Sequence, residues 1–392
     1  MIHAFDAIII GAGPAGALTA RHMCDLGWRV ALVEQGPRFR NKACGGCLSG
    51  SAVTALAELG LTRSVMGIAA GVTRRFRAHV GDDATLAIDL ERHGEGGRAS
   101  GLVVARSRLD QMLIDDAASR GASVFQPARA RIVALERRRS AVEVRKEHGE
   151  TEHLEAPLIV GADGLASRTA MAAGLARRRR RGRNRAAHGF SFELRDAAVS
   201  GPDGFDRDAI EMFIGTMGYL GIVRTGAGAC HLAAYVRRGS PAGPVGFVRA
   251  MAASSTRLKR LGLFEADRDR LSEMRGSGPM PWRPQAIANG RVALVGDAAG
   301  YLEPITGEGM HWAMEAAAAL AETVTGRPAG TWNDRMARAY SAGWRARLAG
   351  GQRTCAWLGW LLRHQTMCRA AFAIMNRDQG LAQRLADRVV TT

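Results

Sequence analysis

Apolar residues near the start of the chain form two short, unbroken runs. Ala7–Ile10 and Val30–Val33 are apolar at every position, which is typical of strands that are buried on both faces. Between them, an alanine-rich stretch predicts a helix that ends near Leu26. Because a helix joins two buried strands, this part of the chain is predicted to fold as a strand–helix–strand unit of a parallel sheet.

Later apolar runs extend this pattern. Further buried strands are predicted at Leu102–Ala105, Leu158–Val160 and Arg291–Val295, and helices are predicted near Ser51–Leu59 and from about Ser107 to Arg120. After the last of these strands, the spacing of apolar residues is helical to the end of the chain. The runs therefore predict one parallel sheet assembled from distant segments.

Other stretches carry β-type patterns of apolar and polar residues, and they predict a second sheet. Its strands are predicted at Val72–Val80, Thr85–Leu90, Gly189–Leu194, Ile210–Ile214, Tyr219–Arg224 and His231–Val236. Two further strands are predicted at Arg131–Leu135 and Val142–Arg145, before the chain re-enters the first sheet. Helices are predicted near 243–253 and 266–275. The predicted fold class is α/β, in which a Rossmann-like domain is interleaved with a β-sheet domain and followed by a helical C-terminus.

The turn after the first strand carries a glycine pattern with a physical purpose. It consists of Gly11, Ala12, Gly13, Pro14, Ala15 and Gly16. The first glycine allows a tight turn, the second lets a diphosphate approach the backbone, and the third lets helix and strand pack closely. Glu34 ends the second strand, where a carboxylate can accept hydrogen bonds from a ribose, and Gln35 follows it. The unit predicts a site for an adenine dinucleotide.

Two later turns indicate which dinucleotide it is. Asp163-Gly164 follows one predicted strand, and Gly296-Asp297-Ala298 follows another. The three turns in this order resemble those of the FAD-dependent oxidoreductases that share the aromatic-hydroxylase fold. That resemblance implies FAD as cofactor, with Asp297 on its ribityl chain and Arg106 near it. Without the resemblance, each aspartate is equally well explained as a helix N-cap, and Arg106 as an ion pair with Asp110.

A loop after the second strand narrows the resemblance to the geranylgeranyl reductase-like group of these flavoproteins. Lys42-Ala43-Cys44-Gly45-Gly46-Cys47 is similar to a segment that lies beside the flavin ring in that group. The late segment containing Pro304, Gly307, Gly309 and Met310 is similar to one that wraps the pyrimidine edge of the flavin. The resemblance implies that backbone N–H groups at the start of the following helix stabilise negative charge on the reduced ring.

The resemblance also assigns the predicted segments to domains. The FAD-binding domain is predicted to comprise residues 1–70, 100–180 and 286–330, and the substrate domain residues 71–99 and 185–285. C-terminal helices are predicted for residues 331–392.

Cys44 and Cys47 form the C-x-x-C of this loop, and the motif has three possible interpretations. They could be a redox pair, half of a zinc site, or small side chains packed in a flavin loop. No second pair with ligand spacing exists in the sequence, so no metal site is predicted. Packing is preferred, and a catalytic role in substrate shaping or proton handling stays open for one thiol.

The predicted substrate pocket involves Tyr219, Gly221 and Arg224. Prenyl reductases and flavin halogenases both carry a strand here with two aromatic residues followed by a proline. The similar strand of this chain has Tyr219 at the first aromatic position, Gly221 at the second and Arg224 at the proline position. Gly221 predicts a wider pocket. Arg224 could pair with an anionic substrate group, but an exposed strand arginine is the preferred interpretation. Tyr219 is a candidate catalytic residue.

Charge and composition bear on partners and location. The chain of 392 residues carries a net charge of +17, and Arg177–Arg181 is an unbroken run of arginine. A solvated loop is the preferred interpretation of this run, with an anionic membrane surface or an acidic carrier protein as the alternative contact. Nucleic acid is not expected, because aromatic residues are not interleaved with the arginines.

The expected location is cytoplasmic. Apolar runs are too short to span a bilayer, a secretory signal is not recognisable, and six cysteines in a chain this long do not form a disulfide scaffold. The segment Cys355–Met375 mixes tryptophan and leucine with arginine, so it is interpreted either as a helix that covers the core or as one that lies on a membrane surface.

The resemblance implies an FAD-dependent oxidoreductase that acts by hydride transfer at flavin N5 on an apolar or lipid-like small molecule, which could be acidic or carrier-linked. The first alternative is a monooxygenase working through a flavin hydroperoxide, as a hydroxylase rather than a halogenase. The second is a redox-neutral flavin cyclase or isomerase, or a prenyl-binding protein. A second dinucleotide motif is not recognisable, so the electron donor is expected to be NAD(P)H bound at the surface, a partner reductase or a thiol.

Overall fold

The structure is a computed structural model that describes residues 2–91, 100–136, 139–177, 187–194, 205–226, 228–237, 243–265, 271–378, 380 and 382–384. Its strands are β1 Ile2–Ala4, β2 Ala7–Ile10, β3 Val30–Val33, β4 Cys47–Leu48, β5 Ala69–Thr73, β6 Arg75–Val80, β7 Ala84–Asp89, β8 Gly101–Val104, β9 Ser123–Phe125, β10 Ala128–Leu135, β11 Ser140–Lys146, β12 Thr151–Ala156, β13 Leu158–Gly161, β14 His188–Leu194, β15 Ala209–Gly215, β16 Gly218–Gly226, β17 Ala229–Val236, β18 Leu271–Gly276 and β19 Val292–Leu294.

The helices account for most of the remaining described chain. They are α1 Pro14–Asp25, α2 Gly50–Glu58, α3 Thr62–Ile68, α4 Arg106–Ser119, α5 Arg168–Ala172, α6 Gly243–Ala253, α7 Thr256–Arg260, α8 Gly309–Val324, α9 Asp334–Leu361 and α10 Gln365–Arg377. Short 3₁₀ turns lie at Gly296–Ala299 and Pro304–Thr306. Within the described residues, no helix is both long and apolar enough to cross a bilayer.

The unbroken apolar strands form a parallel sheet in the order β19-β13-β2-β3-β9. They are buried because helices cover the sheet, and α1 packs against both α4 and α8. In a parallel sheet all carboxyl ends lie at one edge, so the turns after β2, β13 and β19 are brought to the same place. We call this sheet the cofactor-side sheet.

A second sheet of seven strands has the order β18-β14-β17-β16-β15-β6-β7, and it is antiparallel except between β15 and β6. One face contributes Met212, Ile214, Tyr219 and Tyr235 to the large core that also includes the cofactor-side sheet. The other face forms a separate core with α6 and α7. We call this the substrate-side sheet, and the face toward the large core its inner face.

Two predicted elements are wrong. The strand predicted over Val72–Val80 is interrupted at Arg74: β5 joins β4 and β8 in a three-stranded sheet, whereas β6 enters the substrate-side sheet. The helix predicted near 266–275 is replaced, over its described part, by the strand β18, which pairs with β14. In both places tertiary pairing overrides a local pattern.

The structure confirms the predicted fold class, including the helical C-terminus formed by α9 and α10. The strands predicted at Arg131–Leu135 and Val142–Arg145 are present as β10 and β11. They pair with each other, and β12 and β1 extend the pair into a four-stranded sheet that was not predicted. The arginine run predicted at Arg177–Arg181 lies outside the described residues apart from Arg177. The predicted domain boundaries stay a prediction.

Candidate functional site

The three turns predicted to bind the cofactor lie in contact with one another. A Cβ placed on Gly11, which has φ +101°, would stand 2.4 Å from the carbonyl oxygen of Ala162, and one on Gly16 would stand 1.9 Å from the oxygen of Gly11. A Cβ on Gly296 would stand 2.7 Å from that of Ala15. Glycine is therefore required where these backbones meet, and the meeting point is the carboxyl edge of the cofactor-side sheet.

The start of α1 fits the diphosphate of FAD. Gly13 is its N-cap and supplies no side chain to the free N–H groups, Pro14 follows, and the first turn contains no acidic residue. A guanidinium nitrogen of Arg106 lies 3.7 Å from where a Cβ on Gly13 would stand. Free N–H groups, the positive end of the helix dipole and a nearby cation together favour a bound phosphate.

Glu34 and Lys42 belong to a buried ionic network beside this helix start. The carboxylate oxygens of Glu34 accept hydrogen bonds from the backbone N–H groups of Ala12 at 3.0 Å and Gly36 at 2.8 Å. Lys42 Nζ lies 3.5 Å from Glu34 Oε2 and 3.0 Å from Asp110 Oδ2. A carboxylate accepts about four hydrogen bonds, so Glu34 retains acceptor capacity for a ribose hydroxyl.

Arg106 and Asp110 form the ion pair considered from the sequence, and the pair lies in the site. Arg106 Nε donates to Asp110 Oδ1 at 2.8 Å, and Nη2 donates to Oδ2 at 3.1 Å. Burial raises the pKa of Asp110, but Arg106 and Lys42 outweigh it and hold that pKa below its usual value. The two interpretations of Arg106 are therefore compatible, because one guanidinium both pairs with Asp110 and reaches Gly13.

The two aspartates of the later turns differ in their partners. Asp163 accepts hydrogen bonds from the backbone N–H of Thr169 at 3.0 Å and from its hydroxyl at 3.1 Å, as well as from the hydroxyl of Ser167, so it organises the start of α5. Burial raises the pKa of Asp297 to about 6, and the charge of Arg106 opposes that rise. Asp297 is thus a buried carboxyl group, and hydrogen bonds from hydroxyl groups would stabilise its charged form.

Other predicted cofactor residues line the same region. Ala298 is buried, and its carbonyl oxygen accepts a hydrogen bond from the indole of Trp282 at 2.9 Å. Gly164 has φ +75° and open space around it. Gln35 is exposed beside Glu34. The cofactor roles of these residues stay predictions.

The cysteine loop lies between the cofactor turns and the substrate-side sheet. His231 Nε2 is 2.6 Å from the carbonyl oxygen of Cys44, and a Cβ on Gly46, which has φ +69°, would stand 3.4 Å from the imidazole. A Cβ on Gly45 would stand 3.8 Å from that of Ala233. The loop is therefore packed on the inner face of the sheet through His231, a residue that the sequence pattern did not single out.

The two cysteines have different surroundings. Both are free thiols, and Arg106 lies within hydrogen-bond reach of Cys44. Burial, with a smaller contribution from Cys44, raises the pKa of Cys47 to about 12. A thiol that stays protonated is a poor nucleophile, so this placement favours the packing interpretation for Cys47 and leaves Cys44 as the candidate for chemistry.

The late segment forms a second helix start that has no side-chain cap. Pro304 and Gly307 are exposed, Gly307 has φ +70°, and a Cβ on Gly309 would stand 3.4 Å from the ring of Tyr301. Glu308 occupies the N-cap position of α8, but its side chain does not bond to the N–H groups of the helix. Its carboxylate instead accepts a hydrogen bond from the hydroxyl of Ser49 at 2.9 Å. Met310 is buried in the first turn of α8. Free N–H groups at this position fit an anionic ring edge.

The predicted pocket residues lie on opposite faces of β16. Tyr219 and Gly221 face inward, and the ring of Tyr219 stacks on that of Tyr235 with centroids 4.9 Å apart. Arg224 pairs with Cys230, which belongs to the other core, and its Nη1 donates to the carbonyl oxygen of Phe205 at 3.3 Å. Because side chains alternate along a strand, Arg224 lies on the face opposite to Tyr219 and Gly221, and its substrate role stays a prediction.

Glu303 is a second group that sequence reasoning did not assign. Its side chain is 5% exposed and lies 3.2 Å from Nη2 of Arg363, which follows α9. A Cβ on Gly359 would stand 1.2 Å from the carboxylate, so α9 has a glycine where Glu303 needs space. In the sequence, this contact is indicated only by Glu303 before Pro304 and by Gly359 inside a predicted helix. The two positions are too far apart in the chain for a local pattern to connect them.

Comparisons with known proteins show the family of the chain. A family described as FAD binding domain matches residues 4–211. The digeranylgeranylglycerophospholipid reductase of Methanothrix thermoacetophila is 28% identical over 326 residues, which are 81% of this chain and 77% of the relative.

Solved structures share the fold over nearly the whole chain. A flavoprotein/dehydrogenase from Cytophaga hutchinsonii has a TM-score of 0.81 at 18% identity, covering 99% of this chain and 93% of that one. A geranylgeranyl bacteriochlorophyll reductase-like protein from Thermoplasma acidophilum has a TM-score of 0.74 at 20% identity, covering 100% and 94%. The prediction that the chain is an FAD-dependent oxidoreductase of the geranylgeranyl reductase-like group is confirmed.

Proposed function

Because the chain belongs to the family described as FAD binding domain, we propose that it is a reductase that saturates carbon–carbon double bonds of a prenylated lipid. The observation that carries the proposal is the position of the cysteine loop. It lies between the cofactor turns and the inner face of the substrate-side sheet, held there by the contact between His231 and Cys44. The name of the Methanothrix relative supports a prenylated lipid as the substrate class.

FAD, when bound, supplies the hydride at N5. The free N–H groups at the start of α1, with Arg106 beside them, would hold its diphosphate, and Asp297 would accept a hydrogen bond from one of its hydroxyl groups. The start of α8 offers N–H groups for negative charge. The inner face, with Met212, Ile214 and Val223, excludes water from the double bond.

The electron donor is NAD(P)H bound at the surface or a partner reductase. The sequence offers no second dinucleotide-binding unit, which supports a transient donor. Anaerobic mixing of the FAD-loaded protein with NADPH or NADH tests whether the nucleotide reduces the flavin directly. Bleaching of the flavin bands within seconds supports direct reduction by the nucleotide, and no bleaching points to the partner reductase.

The central test is anaerobic reoxidation. We expect photoreduced protein to regain its oxidised flavin spectrum when a geranylgeranyl lipid is added, with a product that has gained hydrogen at its double bonds. An air-saturated buffer serves as the comparison. Reoxidation by oxygen through a long-lived intermediate, without reoxidation by the lipid, would replace the reductase with the monooxygenase hypothesis.

Cys44→Ser probes the loop within this test. We expect FAD to stay bound while turnover falls about tenfold, because Cys44 lies between Arg106 and the inner face. Cys24→Ser is the matched control, since Cys24 is a free, half-buried thiol near the end of α1. Equal turnover in both variants would remove Cys44 from the mechanism.

The C-terminal helices are proposed to rest on an anionic lipid surface. Trp357, Trp360, Met367 and Ile374 are 44–56% exposed, and Arg353, Arg363 and Arg377 are exposed among them. Aromatic and aliphatic side chains flanked by arginine suit the interface of an anionic bilayer. The FAD-loaded protein should sediment with vesicles containing phosphatidylglycerol, and the double variant Trp357→Ser with Trp360→Ser should not. Equal sedimentation of both proteins would count against this contact.

A further inference from the structure

Two arginines lie together where the substrate-side sheet meets the end of α9. Arg237 follows β17, and its guanidinium donates to the carbonyl oxygens of Thr216 at 3.0 Å and Leu362 at 3.2 Å. Arg363 is the next residue after Leu362, and its Nη2 lies 3.2 Å from Oε2 of Glu303. The sheet and the helix end thus bring two guanidinium groups into one seam.

The charges in this seam do not cancel. Glu303 forms an ion pair with Arg363, whereas the described hydrogen bonds of Arg237 go to neutral carbonyl oxygens. Burial and then the neighbouring charge of Arg363 lower the pKa of Arg237, and the opposing charge of Glu303 does not offset them. Like charges in a partly buried place destabilise each other, and a bound anion relieves that repulsion.

The neighbouring side chains are suited to a phosphate. The hydroxyl of Tyr235 lies within hydrogen-bond reach of both Glu303 and Arg363, and burial raises its pKa to about 12, so it stays a neutral donor. The ring of Tyr219 stacks on Tyr235 at an interplanar angle of 15°. Guanidinium groups with fixed donors and a hydroxyl are the groups that recognise phosphate oxygens.

The inner face leads from this seam to the cysteine loop. Tyr235, Ala233 and His231 alternate onto that face of β17, and His231 contacts the carbonyl of Cys44. At about 3.3 Å per residue, Arg237 is about 20 Å along the strand from His231. A ligand anchored at the seam therefore needs a long chain to reach the loop.

We propose that Arg237 and Arg363 bind the phosphate of a prenylated lipid whose hydrocarbon chain runs along the inner face of β17 toward the cysteine loop. This inference rests on the proposed reductase function, which it deepens by placing the polar end of the substrate. Arg363 also borders the exposed tryptophans of α9, so a phosphate at the surface of a bilayer would meet the seam directly.

Binding to the FAD-loaded protein tests the site without turnover. Titration calorimetry in a neutral detergent compares geranylgeranyl phosphate with geranylgeraniol, which has the same chain and no phosphate. We expect the wild type to prefer the phosphate by about tenfold or more, and Arg237→Gln and Arg363→Gln each to lose most of that preference. Arg345→Gln, an exposed arginine of α9, is the matched control and should keep it.

The ratio of the two affinities separates phosphate recognition from a general defect, because misfolding weakens both ligands alike. Arg363 is 45% exposed, so its variant remains informative if Arg237→Gln fails to fold. Equal affinity of the wild type for the two ligands, or an unchanged preference in the folded variants, would overturn the proposal. So would inorganic phosphate binding as tightly as geranylgeranyl phosphate, since the site would then serve free phosphate. A wild type that prefers the phosphate but reduces no double bond would refute the proposed function and leave this site standing.

Discussion

The cofactor-side sheet and the substrate-side sheet build their parts of the site in different ways. At the cofactor-side sheet, three strand ends meet through their turns, and Gly11, Gly16 and Gly296 lie where a side chain would collide with a neighbouring turn. At the substrate-side sheet, side chains from strands, the late segment and α9 meet, as His231, Tyr219, Glu303 and Arg363 show.

The difference explains what each region tolerates. A backbone turn depends on the absence of a side chain, so almost any substitution disturbs it. A site made of side chains depends on which face of a strand or helix each one occupies, so neighbouring positions can differ completely in importance. Four sets of variants test this contrast, from the largest expected effect to the smallest.

Gly16→Ala should be the most damaging change. The new Cβ would stand 1.9 Å from the oxygen of Gly11, so the first turn must move away from β2. We expect a loss of at least about 3 kcal/mol in the free energy of unfolding and loss of FAD, measured by denaturant titration and flavin absorbance. Gly67→Ala in α3 is the control, because nothing lies within 4 Å of its Cβ position. Retention of FAD by Gly16→Ala would refute the close contact.

Gly359→Ala tests a side-chain contact of the other region. Its Cβ would overlap the carboxylate of Glu303 and separate that group from Arg363. We expect a loss of about 2–3 kcal/mol in the free energy of unfolding, with FAD still bound. Gly343→Ala lies in the same helix with open space around it, and it should stabilise the protein by about 0.5–1 kcal/mol. Equal effects from the two variants would contradict the placement of Glu303.

Asp297→Asn should have a smaller effect that depends on pH. An acid whose pKa is raised on folding stabilises the folded state fully below its unfolded value of 3.8, and that contribution is lost as the pH rises through about 6. The FAD-free variant should therefore be about 1–2 kcal/mol more stable than the FAD-free wild type at pH 8, with the gain vanishing toward pH 4. Denaturant titrations at the two pH values measure it, and an equal gain at both would exclude titration of Asp297.

Arg224→Gln should have the smallest effect on substrate. Because Arg224 faces the outer core, we expect KM for a prenylated lipid to change by less than about twofold. Gly221→Ala, on the inner face of the same strand, should change KM by about threefold to tenfold, since a methyl group enters the pocket beside Met212. Steady-state kinetics of the two variants measure both KM values. A larger change in KM for Arg224→Gln than for Gly221→Ala would contradict the placement of the substrate on the inner face.

Much of the cofactor region could be predicted because its signals are local. Unbroken apolar runs indicate buried strands, and a glycine turn followed by a helix indicates a phosphate site within a few residues. The face on which Arg224 lies could also be predicted, because Tyr219 and Gly221 are separated by an even number of positions and Arg224 is an odd number of positions from both. The interrupted strand at Arg74 was not, because β5 and β6 separate only through the partners they find.

The contacts of His231 with Cys44 and of Glu303 with Gly359 join residues far apart in the chain, and no periodicity encodes them. The sequence determines strands, helices and glycine turns because these follow from the conformational preferences of neighbouring residues. Only the folded structure decides which side chains meet in the seam at Arg237 and Arg363, because that depends on how a sheet and a distant helix pack once both have formed.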